Sequence, residues 1–237
     1  MPRESRVVAI GLPHHITQRG NARQDVFTTD ALCRAYLQLL SEHAAANRLR
    51  LLAYCLMTNH VHIVAVPEAD ASMANTFRHA HGRFAQYWNT DRNRTGHLWQ
   101  NRYYSCPVEE LAVCRVMAYV ENNPLRAGMV ERAEDFEWSS AGAHLGRIGA
   151  GAMLDMEWWQ RRWTAEDWRG VLLERSALEE ELRAIRQATY TGRPLGSKQF
   201  IAGLERKLGR VLEVRTGGRT KPIADRVADQ LQLWNAQ

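Results

Sequence analysis

Apolar residues recur along the first half of the chain with two different periods, which predicts both strands and helices. Four short apolar runs bounded by turn residues have the pattern of strands: 13–18, 51–57, 60–66 and 102–108. Two longer stretches carry apolar residues at helical spacing: 29–47 and 71–88. A third helix is expected from Glu109 onward, since acidic residues suit a helix N-terminus. This order predicts an α+β fold, a ferredoxin-like antiparallel sheet with helices on one face.

The pattern changes after Val130, where helical spacing replaces the strand-like runs and tryptophan becomes frequent. We expect one helix over 165–189, a break at 192–196 and an amphipathic helix over 200–211. The chain is therefore divided into a first domain, residues 1–130, and a helical C-terminal extension, residues 131–237.

Positive charge is concentrated near the C-terminus of a chain whose formal net charge is +5. Between Arg183 and Arg226, eleven basic and three acidic residues leave a net charge of +8. Such a surplus attracts polyanions and is typical of a nucleic-acid-binding extension, although a solvated helix face has the same composition. The sequence has no run of about 18 apolar residues and no signal-peptide features at its N-terminus, so a cytoplasmic location without a membrane span is expected.

The four cysteines, at positions 33, 55, 106 and 114, include no C-x-x-C pair. We therefore expect free thiols in a reducing compartment. A four-cysteine zinc site has no spacing to support it.

A His-hydrophobe-His motif lies in the third predicted strand, at His60 and His62. Because strand side chains alternate between faces, both imidazoles project from one face, while Val61 and Ile63 enter the core. Two imidazoles whose Cα atoms lie about 6.6–7 Å apart can converge on one cation. The motif is short, and two histidines without a ligand have the same pattern.

Tyr119 lies on the third predicted helix among apolar neighbours, four residues before Asn123. That spacing places both residues on one helical face, and the amide oxygen of asparagine is a hard metal ligand. A set of His60, His62 and Asn123 would suit Mg²⁺ or Mn²⁺. Alternatively, Tyr119 is a core residue and Asn123, which precedes Pro124, terminates the helix.

These residues belong to three longer segments: LMTNHVHIVAVP, GHLWQNRYYS and MAYVENNPLRAGMV. The segments resemble the REP-associated tyrosine transposases, a branch of the single-tyrosine, His-hydrophobe-His transposase superfamily. Further similarity extends the resemblance from about residue 13 to about residue 221, through PHHITQRGNARQDVF, FEWSSAGAHLG and TGRPLGSKQFIAGLERKLGR.

The resemblance implies a metal-dependent single-strand DNA transposase and endonuclease that cleaves and rejoins DNA at palindromic REP hairpins. It implies that His60, His62 and Asn123 bind Mg²⁺ or Mn²⁺. It also implies that Tyr119 attacks a DNA phosphate and forms a 5′-phosphotyrosine intermediate. Residues 1–130 would then be the catalytic nuclease domain. No other cofactor-binding residues are expected, and the protein would act as a monomer or a homodimer.

Several basic and aromatic residues are candidates for DNA contacts. Arg19, Asn21 and Arg23 form a basic turn after the first predicted strand, although a solvated loop has the same composition. Trp99 could stack on a base, with ordinary strand packing as the alternative, and Arg102 could contact a phosphate. The basic extension adds candidates for holding a hairpin stem: Arg193, Lys198, Arg206, Lys207, Arg210, Arg219 and Lys221.

Two other functions are compatible with parts of this pattern. The first is a non-catalytic DNA-hairpin-binding protein of the same fold, which would not need Tyr119. The second is a metal-dependent phosphohydrolase that uses water and leaves no protein–DNA adduct. The basic extension and the spacing of Tyr119 and Asn123 argue against the hydrolase.

Overall fold

A four-stranded sheet forms the centre of the protein, whose computed structural model describes residues 6–147, 153–174 and 179–212. The strands are β1 (His14–Arg19), β2 (Leu49–Met57), β3 (His60–Pro67) and β4 (Tyr104–Pro107). Neighbouring strands are antiparallel, in the order β2-β3-β1-β4. The predicted α+β fold with a ferredoxin-like antiparallel sheet is confirmed, with β1 and β3 at its centre and β4 at one edge.

Two helices, α1 (Asp30–Ala46) and α2 (Ser72–Asp91), cover one face of the sheet. α1 begins after Thr29, whose side chain accepts a hydrogen bond from the backbone N–H of Leu32 and so satisfies a first-turn donor. The core on this face combines strand and helix residues: Ile16, Val61, Ile63, Tyr36, Leu40, Phe77 and Phe84.

The opposite face carries α3 (Val113–Glu121) and α4 (Asn123–Arg126). The predicted layer of helices corresponds to α1 and α2, and α3 adds a second layer because its apolar side chains join the core formed by Val64 and Val66 of β3. Pro124 lies in the first turn of α4, where its missing N–H removes no helical hydrogen bond.

The extension adds five helices to the described part of the chain: α5 (Ala141–His144), α6 (Met156–Gln160), α7 (Ala165–Leu173), α8 (Glu179–Thr191) and α9 (Lys198–Leu208). α7 and α8 join the core on the α3 face. α9 packs through Leu204 against Val7 and Ala9, which confirms the predicted amphipathic helix.

The expectation of one helix over 165–189 is wrong. α7 ends at Leu173, and Glu174 has a non-helical ψ of 82°. Trp168 and Leu172 of α7, like Leu182 of α8, are buried in the core on the α3 face. On one continuous helix, positions 168 and 185 would lie about 25 Å apart along the axis, at about 1.5 Å per residue. Two separate helices can bring the apolar side chains of both segments to the same core.

Two composition-based expectations can be compared with the structure. Within the described ranges, no helix is both long and apolar enough to span a membrane. All four cysteines are free thiols, as expected, and three of them are buried.

Candidate active site

The two histidines of the His-hydrophobe-His motif project from the same face of β3. Their ring centroids lie 4.9 Å apart with the ring planes nearly perpendicular. Val61 and Ile63 lie in the core of the other face, as the strand alternation predicts. The motif therefore presents two imidazoles to α3 rather than to α1 and α2.

Tyr119 of α3 lies beside these histidines in the same chain. Its ring centroid is 5.6 Å from that of His62, and the two rings meet edge to face. Tyr119, His60, His62 and Asn123 line one cavity of about 410 Å³. The structure therefore brings together all four residues predicted for catalysis and metal binding, which come from two strand positions and two consecutive helices.

Burial keeps the imidazoles of this cavity in their neutral form. The pKa of His60 is lowered to about 3, first by burial and then by the positive charge of Arg19, which pairs with His60 across β1 and β3. Burial also lowers the pKa of His62 well below its usual value. Neutral imidazole is the form that binds metal ions.

Hydrogen bonding determines the tautomer of His60. Its Nδ1 lies 2.7 Å from the amide oxygen of Asn59. An amide oxygen can only accept, so Nδ1 carries the proton and the lone pair lies on Nε2. An imidazole held through one nitrogen in this way is oriented to bind a cation through the other.

Asn123 lies at the end of α3, as the helix-termination alternative expects, and it also lines the cavity. Its amide Nδ2 donates to the backbone carbonyls of Tyr119 (3.0 Å) and Val120 (3.2 Å), so the side chain provides donors for carbonyl groups at the end of α3. Because Nδ2 is used in this way, the amide oxygen is the atom that can serve as a ligand in the cavity. Helix termination is thus observed, and it holds the side chain at the cavity.

The donor set fits an open site for a divalent cation rather than a closed structural metal site. Among the residues that the structure describes, no group of three or more His, Cys, Asp or Glu side chains is arranged to hold a metal ion. Two imidazoles and one amide oxygen would leave further positions for water and phosphate oxygens, as Mg²⁺ and Mn²⁺ prefer.

Arginine side chains lie next to Tyr119 and along the cavity that it lines. Arg126 donates to the Tyr119 backbone carbonyl (2.6 Å), and its guanidinium lies 4.5 Å from the centroid of the Tyr119 ring. Arg19 and Arg186 line the same cavity, as does Glu179, whose carboxylate pairs with Arg186 (3.4 Å). Burial, then the charge of Arg23, lower the pKa of Arg19 only to about 10, so it remains a cation at neutral pH. The positive charges of Arg126 and Arg19 can stabilise the negative charge of a phosphate group and of a developing phenolate.

Sequence reasoning missed Arg126. The only signal for Arg126 was a basic residue three positions after Asn123. His14 and His15 are adjacent on β1, so their side chains point to opposite faces of the sheet, and His15 is the one that reaches the site. Its Nε2 lies 3.0 Å from His62 Nδ1, and burial lowers the pKa of His15 to about 3.

Three of the predicted DNA-binding arginines meet in a second cavity at the β4 edge of the sheet. This β4 groove, of about 370 Å³, is lined by Arg102, Arg193 and Arg210 together with Arg6. The rings of Tyr104 and Tyr190, 5.2 Å apart, also line it. Basic and aromatic side chains along a sheet edge have the composition of a single-strand binding groove.

The remaining candidates of the extension are separate from this groove. Lys198, Arg206 and Lys207 are exposed on α9. Arg219 and Lys221 lie outside the residues that the structure describes.

The other two predicted contact groups differ in their exposure. Asn21 is exposed and Arg23 half-buried in a turn of 3-10 helix directly after β1. Trp99 instead packs against Phe27 and Phe84, and its indole N–H donates to the His81 backbone carbonyl (3.0 Å). Its ring is engaged in the α1–α2 core, so the packing alternative describes Trp99 better than base stacking.

Comparison with known proteins finds one family model that matches just under half of the chain and one solved structure with a similar fold. Residues 9–123 match the family model described as IS200-like transposase. A solved REP-associated tyrosine transposase bound to a REP hairpin is similar in fold, with a TM-score of 0.53 and 18% identity, over 62% of this chain and 87% of the other. A provisionally assigned transposase from Deinococcus radiodurans R1 matches at 20% identity over 51% and 97% of the two chains, with a TM-score of only 0.37. No curated protein matches the chain.

Proposed function

Because residues 9–123 match the IS200-like transposase family model, we propose that this protein is a transposase of that kind, which cleaves and rejoins single-stranded DNA at palindromic hairpins with Tyr119 as nucleophile. The observation that carries the proposal is the convergence of the Tyr119, His60 and His62 rings on one cavity within a single chain. This placement supports an active site that one chain can complete by itself.

In the proposed reaction, the phenol oxygen of Tyr119 attacks a DNA phosphorus atom and gives up its proton. The bond from phosphorus to the 3′ oxygen breaks, and that oxygen leaves as a 3′-OH. The product is a 5′-phosphotyrosine, which conserves the phosphodiester energy, so a second 3′-OH can reverse the step and join strands. Arg126 and Arg19 stand where their charges oppose the build-up of negative charge on the phosphate and phenol oxygens.

We propose that His60, His62 and Asn123 hold Mg²⁺ or Mn²⁺. Such a cation would neutralise and orient the attacked phosphate. The side chains contribute by being fixed before DNA arrives: Asn59 orients His60, and the end of α3 orients Asn123.

For the substrate, we propose a hairpin with a single-stranded flank. The β4 groove would take the flank between its arginines and its two tyrosines, and the exposed cations of α9 would contact the stem. Residues 1–130 would carry the chemistry, and the extension would contribute DNA contacts.

The test is formation of a covalent protein–DNA adduct with hairpin-bearing single strands and Mn²⁺, detected on denaturing gels. Label at the 3′ end of the DNA should migrate with the protein, and label at the 5′ end should appear on a released fragment. Tyr119→Phe should abolish the adduct, whereas Tyr87→Phe, which changes an exposed tyrosine, should leave it unchanged.

The alternatives give different results in this assay. Cleaved DNA without an adduct would indicate a hydrolase that uses water, and binding without cleavage would indicate a non-catalytic hairpin-binding protein. An adduct that persists in Tyr119→Phe would refute the assignment of the nucleophile.

A further inference from the structure

A chain of hydrogen bonds connects α8 of the extension to His62. Thr189 Oγ1 donates its single proton to the backbone carbonyl of Ile185 (2.8 Å). The same oxygen lies 2.6 Å from His15 Nδ1. Since the hydroxyl proton is already used, His15 Nδ1 must carry a proton and donate it to Thr189.

This donor order continues through His15 to the next ring. A neutral imidazole with its proton on Nδ1 accepts at Nε2. His15 Nε2 lies 3.0 Å from His62 Nδ1, so His62 donates from Nδ1. His62 therefore carries its lone pair on Nε2, the same tautomer that Asn59 sets in His60.

The hydrogen-bonded chain Thr189–His15–His62 forms a relay, and its burial makes it hard to replace. Thr189, His15 and His62 are each at most 2% exposed, so bulk water cannot supply a substitute acceptor. Cys106, whose Sγ lies 3.4 Å from Thr189 Oγ1, closes the other side of the hydroxyl.

We propose that Thr189 is a positioning residue of the metal site: through His15 it holds His62 in the tautomer that can bind a divalent cation. The extension thereby completes a site whose three ligands all lie between residues 60 and 123. The inference rests on the proposed function, because it takes His62 to be a metal ligand.

Removing the hydroxyl should invert the relay. In Thr189→Val the side chain keeps its shape, but the buried Nδ1–H of His15 loses its acceptor. The proton of His15 is then better placed on Nε2, from which it donates to His62 Nδ1. That in turn moves the proton of His62 to Nε2, the nitrogen that a cation would need.

The first measurement is the tautomer of His62 in the full-length, metal-free protein, read from two-bond ¹H–¹⁵N correlations of its ring. Wild type and Thr189→Ser, which keeps the hydroxyl, should show the Nδ1–H form, and Thr189→Val the Nε2–H form. Thr191→Val is the matched control, since the Thr191 hydroxyl makes the same kind of bond, to the carbonyl of Gln187 (2.8 Å).

The second measurement is Mn²⁺ affinity, followed by electron paramagnetic resonance of the free ion. Thr189→Val should bind Mn²⁺ about 10–100-fold more weakly, as expected when the hydrogen-bond partner of a ligand is lost, while Thr189→Ser and Thr191→Val bind as wild type does. Should Thr189→Val not fold, His15→Phe removes the same relay while keeping an aromatic ring, and should weaken Mn²⁺ binding similarly.

An unchanged His62 tautomer in Thr189→Val, or a wild-type Mn²⁺ affinity in that variant, would overturn the inference. Failure of the wild-type protein to bind Mn²⁺ is a different result. It would remove the metal-dependent step of the proposed function. The tautomer measurement would still decide whether Thr189 determines the tautomer of His62.

Discussion

Glu121, two residues after the proposed nucleophile, should be among the most destabilising positions to mutate. Its carboxyl group is completely buried and accepts hydrogen bonds from His144 Nδ1 (2.6 Å), Trp168 Nε1 (2.8 Å) and the Ser140 hydroxyl. These partners belong to α5, α7 and the segment before α5, so the network ties α3 to the extension. We expect Glu121→Ala to destabilise the fold and loosen the helix that carries Tyr119.

The magnitude follows from the partners left behind. The Ser140 hydroxyl can turn to the Tyr54 backbone carbonyl, 3.3 Å away, but the N–H groups of His144 and Trp168 lose their acceptor. His144 gains nothing by changing tautomer, since its Nε2 is buried without a partner among the described residues. Two orphaned donors at about 1–3 kcal/mol each, plus about 1 kcal/mol for a small cavity, give a loss of about 3–7 kcal/mol.

Urea unfolding followed by tryptophan fluorescence measures this loss, because Trp168 and Trp159 lie at the network. With a slope of about 3 kcal/mol per molar urea, the midpoint should fall by about 1–2.3 M. Glu110→Ala is the matched control: it breaks an exposed ion pair with Arg162, which is worth at most about 1 kcal/mol. A loss below about 1 kcal/mol for Glu121→Ala would show that the network does not hold α3 in place.

Three further predictions follow from other parts of the structure. Burial lowers the pKa of His81 from 6.5 to about 3. Between pH 3 and 6.5 the unfolded chain binds a proton at His81 that the native state does not, so the free energy of unfolding falls as pH falls. In urea titrations, His81→Gln should reduce the dependence of this free energy on pH by about 1.4 kcal/mol per pH unit. Gly20→Ala would place a Cβ 2.5 Å from the backbone oxygen of Gln24, so calorimetry should show a loss of about 1–3 kcal/mol; an unchanged melting curve would mean that this turn can shift freely. Arg193→Ala and Arg210→Ala should each weaken hairpin binding and lower the salt dependence of log K by about 0.7–0.9, and an unchanged salt slope in fluorescence anisotropy would exclude the β4 groove from the DNA path.

The local elements could be read from the sequence because they follow from backbone periodicity. The bounds predicted for β1, β3 and α1 agree with the structure to within about two residues, since alternation and capping signals are local. The same periodicity correctly placed His60 and His62 on one face of β3. The prediction of one helix over 165–189 was wrong because a continuous helical pattern does not show where the chain turns so that two apolar segments reach one core.

The membership of the site was only partly predictable. The resemblance brought Tyr119 and Asn123 to the histidine pair, and the structure places all four at one cavity. Arg126 gave no comparable signal, because its role comes from folding back over the Tyr119 ring. For Trp99 the sequence left base stacking and strand packing open, and the structure shows the ring packed against the α1–α2 core.

The sequence by itself determined the strand and helix periods, the face of β3 that carries the histidines and the concentration of positive charge near the C-terminus. Only the tertiary structure decided that His15 touches His62 and that Thr189, 174 positions away, touches His15. The physical reason is that periodicity is a property of neighbouring residues, whereas these contacts depend on how β1 pairs with β3 and on where α8 buries its apolar face. Both are set by the burial of side chains from distant parts of the chain.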